Sequence, residues 1–547
     1  MNRGTLLGPV LVVALVASVL LGTWVVASRE RPGPTSTADV WVEPRLTAAQ
    51  VAAFASLTPG AGVPPEVTHP PEGGVVPATF PAPRLLWTDE YASRVYRVEV
   101  REGGEGAVLW TAYTQGREVT PPLEAWTAWK ARTTRLGVTV TSAGVEPDGR
   151  VISSALVSSP AIFTIAPVAE SPQGMLLFGM KHRPANRPIG TVSLLEMHLR
   201  IDALDLEHME HRVVFRSSSG PEPTVIHPGR REQERAGPPE SPEHPDPSEF
   251  TTSTQCVSCH AISNDGRYVA VFSQTAEESP PTFDAPNGFL TVLTMPERKA
   301  VLQLPHAFMP QFHPKDSSLL VFGEVDETIG TKDQMMVRKS DLRVANLRTG
   351  AVRDVPGAND PGRVENFPYW SPDGTRLVFI RTKPGQLWHG AAGLLDLATV
   401  TYDPSGNPAE AQPLRGASDN GKSNFLPVYS PDGRWIVFTQ ADQGFFSQQS
   451  SDLWIVPAEG GTARRLECNG PHTESWHRFS PDGRWLALVT NREDVRRPHI
   501  YLSRFDTTLG TAGPAVQLPV VAGPGAHTHA FSWTDRFGWI TEYELAR

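Results

Sequence analysis

Two thiols and an imidazole stand together in the string Cys256-Val257-Ser258-Cys259-His260. This is the spacing by which a c-type haem is attached. Each thiol adds to a vinyl group as a thioether, the two intervening residues set the separation of the sulfurs, and the adjacent histidine reaches the iron as an axial ligand. The same residues have other uses. A disulfide between Cys256 and Cys259 forms in an oxidising compartment. A redox dithiol wants a thioredoxin-like βαβ setting, which the surrounding sequence lacks. A structural zinc wants four ligands, and no second cysteine pair is present. The expected cofactor is therefore one covalent haem c, with Cys256 and Cys259 as attachment points and His260 as the proximal iron ligand. The third cysteine, Cys468, has no partner in the sequence and is read as a bystander.

The elements that must position this motif show as a repeat. Short apolar runs follow polar turns at Ser263, His313, Ser371, Ser430, Ser480 and Ser532, at separations of 50, 58, 59, 50 and 52 residues. A period near fifty with several strands per unit marks a β-propeller. The middle turns read Ser-Pro-Asp-Gly: proline presets φ, aspartate tolerates the next position, and glycine closes the turn. The second and last repeats depart from this, with Pro-Lys-Asp-Ser and Thr-Asp-Arg-Phe in its place. Only 16 residues remain from Ser532 to the end, too few for a four-stranded blade. Gly190–Met197 and His211–Arg216 are candidate third and fourth strands for the last blade, so the chain is expected to close on itself through N-terminal strands. Residues 217–255, rich in proline, glutamate and serine, would lead back to the first blade.

The Ser-Pro-Asp-Gly turn followed by Asp452-Leu-Trp-Ile-Val-Pro-Ala-Glu-Gly-Gly461 resembles the TolB-like propeller family. That resemblance implies an all-β chain whose residues 174–547 form a six-bladed propeller. It also suggests that the propeller face binds another envelope protein. A C-x-x-C-H motif running straight into a Ser-x-Asp-Gly turn is similar to propeller proteins with a single haem motif. In this register His260 lies three residues before its turn serine, on or entering an innermost strand, so the haem is expected at the mouth of the channel between neighbouring inner strands.

Met309 lies four residues before its own turn residue. Side chains alternate along a strand, so the opposite parity on adjacent blades makes Met309 the first candidate for the distal iron ligand. His306, His527 and His529 are the alternatives, along with an open or water-bound site. His472 and His477 fall on the fifth repeat, across the channel, and read as lining or core.

Upstream, residues 82–168 show alternating runs such as Tyr96–Val100, Val138–Thr141 and Ile162–Ile165. Their order resembles a fibronectin type III-like β-sandwich, a spacer or binding module. Residues 29–81 are proline-rich and are expected to be a linker, with one short helical pattern at Leu46–Phe54. Residues 1–28 read as a signal peptide or membrane anchor, because Leu6–Ala27 is 22 residues without a charge. The rest is then expected in the periplasm or cell envelope, with residues 6–27, where they act as an anchor, tethering it to the inner membrane.

Composition agrees with a turn-rich β protein, with 52 prolines and 46 glycines in 547 residues. A net charge of −10 and a pI near 5.9 argue against nucleic-acid binding. There is no Gly-x-Ser-x-Gly, no phosphate-binding glycine loop and no His-Glu-x-x-His. Three activities fit these features: electron transfer or redox sensing with a partner protein, a protein- or peptide-binding module with structural haem, and a haem oxidoreductase with a substrate in the channel. A monomer is expected.

Overall fold

The computed structural model describes residues 39–182, 198–216, 254–275, 289–295, 297, 299–331, 334–387, 393–444, 449–493, 498–519 and 526–534. From Met175 onward these residues form antiparallel four-stranded meanders. The first comprises Thr254–Ile262, Tyr268–Thr275, Phe289–Thr294 and Ala300–Pro305. Each following repeat begins with its own inner strand: Ala307–Phe312, Val364–Trp370, Ser423–Tyr429 and Glu474–Phe479. The last inner strand, Ala526–Thr534, pairs with Met175–His182, which pairs with His198–Asp205 and then Glu210–Arg216. Each inner strand packs against the next, and Ala526–Thr534 packs against Thr254–Ile262, which closes the ring. The fold is a β-propeller.

Second strands such as Trp435–Ala441 are buried along almost their whole length. They read as continuous apolar runs because each sheet is covered on both faces by its neighbours. The turns that follow the inner strands explain the repeat. The hydroxyls of Ser371, Ser430 and Ser480 donate to Asp373, Asp432 and Asp482 at 2.6 Å. They accept the backbone N–H groups of Arg376, Trp435 and Trp485 at 2.9, 3.0 and 3.0 Å. Gly374, Gly433 and Gly483 take φ of 77°, 74° and 72°, the left-handed region that glycine enters freely. In the divergent second repeat an imidazole replaces the serine. His313 Nδ1 accepts the Asp316 N–H at 3.0 Å, while Nε2 donates to the Gly374 carbonyl at 3.1 Å, tying this turn to the next.

The ring is joined through N-terminal strands, though not at the expected residues. The described third strand is His198–Asp205, whereas Gly190–Met197 lies outside the described residues. The expected fourth strand at His211–Arg216 coincides with Glu210–Arg216.

The region before Met175 differs from the expected linker and sandwich. Its main sheet runs Val40–Val42, Val108–Thr114, Arg94–Glu102, Arg135–Val145, Val151–Val157 and Thr58–Pro59, with Ala161–Ala166 and Val75–Pro77 attached beside Arg135–Val145. Three of its pairings are parallel, and the helix Leu123–Arg132 buries Trp126 and Trp129 in its core. A mixed sheet with a helix is not a seven-stranded antiparallel fibronectin-like sandwich. Residues 39–81 are not a free linker, because their strands join these sheets and Phe54, Val67, Val76 and Phe80 are buried. Proline cost them ladder bonds without preventing burial: they sit at sheet edges, where a missing N–H is tolerated. The proposed signal or anchor at residues 1–28 lies outside the described residues, and among those described no helix is long and apolar enough to cross a membrane.

Candidate functional site

The inner strands share a bulge at one depth. Their pairing with the second strands skips between Ser258 and Ala261, Phe308 and Gln311, Asn366 and Tyr369, Phe425 and Val428, and Ser475 and Arg478. Within the skips, Met309, Phe367, Leu426 and Trp476 have φ of 49°, 56°, 52° and 43°. A left-handed conformation costs a residue with a side chain about 1–2 kcal/mol. Its recurrence in successive repeats makes it a designed feature, one that re-aims the chain around the channel.

These bulges surround a central cavity. His260, Met309, His477 and Arg478 line it, with Phe367 and Leu426 on the apolar side. At the second position of the skip three repeats carry proline, Pro310, Pro368 and Pro427, and two carry histidine, His260 and His477. The sixth repeat has His529 in this register.

His477 is 5 % exposed. Its Nε2 lies 3.1 Å from the Val437 carbonyl. A carbonyl only accepts, so Nε2 carries the proton and Nδ1 holds a lone pair. Nδ1 of His477 is buried with no hydrogen-bond partner. His260 is 4 % exposed, and neither of its ring nitrogens makes a hydrogen bond of acceptable geometry. Burial is the main reason both rings are pushed down to about 4. The backbones of Leu177 and Val437 oppose that fall, and the Arg478 guanidinium adds to it at both rings. Both imidazoles are therefore neutral at ordinary pH, the form that ligates a metal. The Arg478 guanidinium itself lies 4.8 Å from the centre of the Tyr369 ring.

The sequence candidates divide accordingly. The structure brings His260 and Met309 to the same cavity. The parity argument that selected Met309 assumed an uninterrupted strand, whereas Met309 sits in a left-handed bulge and packs against the apolar core. His306 is at the head of its strand, also with positive φ, and His472 lies before its strand; neither lines the cavity. Cys256 and Cys259 lie in the inner strand Thr254–Ile262, and the skip in its pairing falls at Cys259 and His260. His527 and His529 lie in the strand Ala526–Thr534. The side chains of both cysteines and of these two histidines are outside the described residues. Cys468 is buried, and burial pushes its thiol up to about 12, which makes it inert. Among the described residues no group of three or more His, Cys, Asp or Glu could hold a metal ion. Sequence reasoning undervalued His477 and missed Arg478. The available signal was the switch from proline to histidine at one register position.

No family model matches the chain. An uncharacterized protein of Agrobacterium fabrum, Atu1656, is 29 % identical over 157 residues, covering 29 % of this chain and 45 % of that protein. The match thus spans less than half the length of that relative. Among solved structures, TolB from Acinetobacter baumannii aligns with a TM-score of 0.39 and 13 % identity, covering 75 % of this chain and 84 % of that one. Hydrazine synthase from Kuenenia stuttgartiensis aligns at 0.40 and 12 % identity, covering 68 % and 49 %. An oligogalacturonate lyase in complex with manganese aligns at 0.34 and 15 % identity, covering 69 % and 87 %.

Proposed function

We propose that this chain is an extracytoplasmic monohaem c-type cytochrome on a six-bladed, TolB-like propeller, acting in electron transfer or redox sensing with a partner protein. The observation that carries the reading is His260. It directly follows the cysteine pair, it is buried beside a cavity, and both of its ring nitrogens lack hydrogen bonds of acceptable geometry. A buried polar atom without a partner costs about 1–3 kcal/mol, and ligation to a metal is a way to satisfy it. Cys256 and Cys259 would hold the haem covalently and His260 would bind its iron. When bound, haem supplies reversible one-electron exchange.

The chain's own residues support that chemistry. Phe367 and Leu426 give the cavity an apolar wall. Arg478, stacked on Tyr369, puts a positive charge on the cavity wall. The N-terminal segment, read as an export signal or anchor, gives the oxidising side of a membrane as the place where such a haem is attached.

Expression in cells that mature c-type cytochromes is expected to give a red protein that keeps its haem after denaturation. Cys256→Ser/Cys259→Ser is expected to be colourless. Covalent haem in that double variant would overturn the reading.

A further inference from the structure

We propose that His477, rather than Met309, is the second protein ligand of the channel metal, so that the iron is held between two imidazoles, those of His260 and His477. The inference rests on the haem reading above and deepens it.

His477 is built as a ligand. Metal-binding histidines commonly fix their ring by donating one N–H to a carbonyl, which leaves the other nitrogen free for the metal. His477 has that arrangement, with Nε2 on the Val437 carbonyl at 3.1 Å and Nδ1 unpartnered in a side chain that is 5 % exposed. The Val437 contact accounts for one nitrogen and leaves the other unexplained. His477 and His260 line the same cavity, at the same register position of their respective strands, and Arg478 lies close enough to act on both.

Met309 has a sufficient account without a metal. Its counterparts in the neighbouring repeats are Phe367, Leu426 and Trp476, in the same left-handed bulge. It packs against the same apolar cluster as its counterparts, and its side chain carries no nitrogen or oxygen that needs a partner. The place where this ring of strands changes chemistry is one residue later, where proline gives way to histidine. Arg478, held beside Tyr369, supplies a cation near both imidazoles.

The test uses the full chain with its haem attached, as wild type, His477→Gln and Met309→Leu. Glutamine keeps an amide N–H for the Val437 carbonyl and removes the ligating nitrogen, so a folded variant is expected. Wild type should be low-spin by electron paramagnetic resonance and lack the weak red-edge absorption band of methionine ligation. Met309→Leu should be unchanged. His477→Gln should become high-spin, bind carbon monoxide when reduced, and return to low-spin on adding imidazole. A methionine band in wild type that disappears in Met309→Leu would overturn the proposal, as would an unchanged low-spin spectrum in His477→Gln. Wild type without covalent haem on a denaturing gel would overturn the haem reading itself and this inference with it. That result is read on a separate measurement from the ligand exchange.

Discussion

At the scale of single residues, the turn glycines divide by what surrounds them. Gly374 has φ of 77°, and a Cβ there would run into the His313 ring, which is itself fixed by its bonds to Asp316 and to the Gly374 carbonyl. Gly350 has a similar φ of 71° with nothing near its missing Cβ. Both positions pay about 1–2 kcal/mol for a left-handed alanine, and Gly374 adds a steric conflict. Gly374→Ala is therefore expected to lower unfolding free energy by about 2–4 kcal/mol, and Gly350→Ala by about 1 kcal/mol. Equal losses in chemical denaturation would show that the His313 ring yields without cost. The turn chemistry was legible in Ser-Pro-Asp-Gly because serine, aspartate and glycine each do one local job there. His313 was not, since an imidazole standing in for serine is recognised only once both of its nitrogens have found partners. The cysteine–histidine string was equally local and was read directly as a candidate haem site, whereas the lone pair on His477 shows only once its Nε2 is seen on the Val437 carbonyl of the preceding repeat.

At the scale of elements, the closing sheet joins the two ends of the propeller. Met175, Leu177, Ile201 and Ala203 from the N-terminal strands pack with Val269, Val271 and Leu293 of the first meander in one apolar cluster. Those strands thus serve two purposes: they complete the ladder beside Ala526–Thr534, and they seal the gap to the next sheet. Leu177 is fully buried, so Leu177→Ala is expected to cost about 2–5 kcal/mol. The loss should appear in the same cooperative transition as that of Val271→Ala. If Leu177→Ala costs under about 0.5 kcal/mol, in the range of a surface change, the N-terminal strands are accessory and the ring stands without them. That upstream strands close the ring could be expected from the repeat pattern. Which strands they were could not, because Met175–His182 carries no turn signal of its own and its pairing partner is more than 340 residues away. The recurring bulge was hidden for a related reason. Proline in three inner strands advertised an interruption, but the left-handed residue before each proline runs against local preference and is imposed by the ring.

At the scale of the whole molecule, the N-terminal unit is fused to the propeller. Trp87, Tyr96, Trp126 and Phe163 belong to the same apolar cluster as Trp485, Leu502 and Val516 of the fifth meander. Trp485 Nε1 donates to the Glu170 carbonyl at 2.9 Å, Trp533 Nε1 to the Gln173 carbonyl at 2.9 Å, and Arg84 pairs with Glu493 at 3.4 Å. Composition alone suggested a spacer on a linker, because the apolar surface that joins the units comes from positions scattered through both. One unfolding transition is expected, and removing the unit should destabilise the propeller.

The junction also has a pH signature. His69 is 4 % exposed, lies edge-on to Tyr501 with ring centres 6.3 Å apart, and has an unpartnered Nδ1. Burial, with Arg84 and then Arg492 adding to it, pushes its pKa down from 6.5 to about 3. A base whose folded pKa is depressed contributes stability that is complete above the unfolded value. That stability is lost as pH falls toward the folded value, because unfolding then takes up a proton. His69 should therefore weaken the fold between about pH 6.5 and pH 3, at close to 1.4 kcal/mol per pH unit over most of that range. His69→Phe keeps a ring against Tyr501 and removes the proton. The slope of unfolding free energy against pH, measured by denaturant melts from pH 6.5 to 4.5, should become shallower by about 1.4 kcal/mol per unit, with little change above pH 7. An unchanged slope would mean that His69 is already protonated in the folded protein, and that the two units part at their junction before the molecule unfolds.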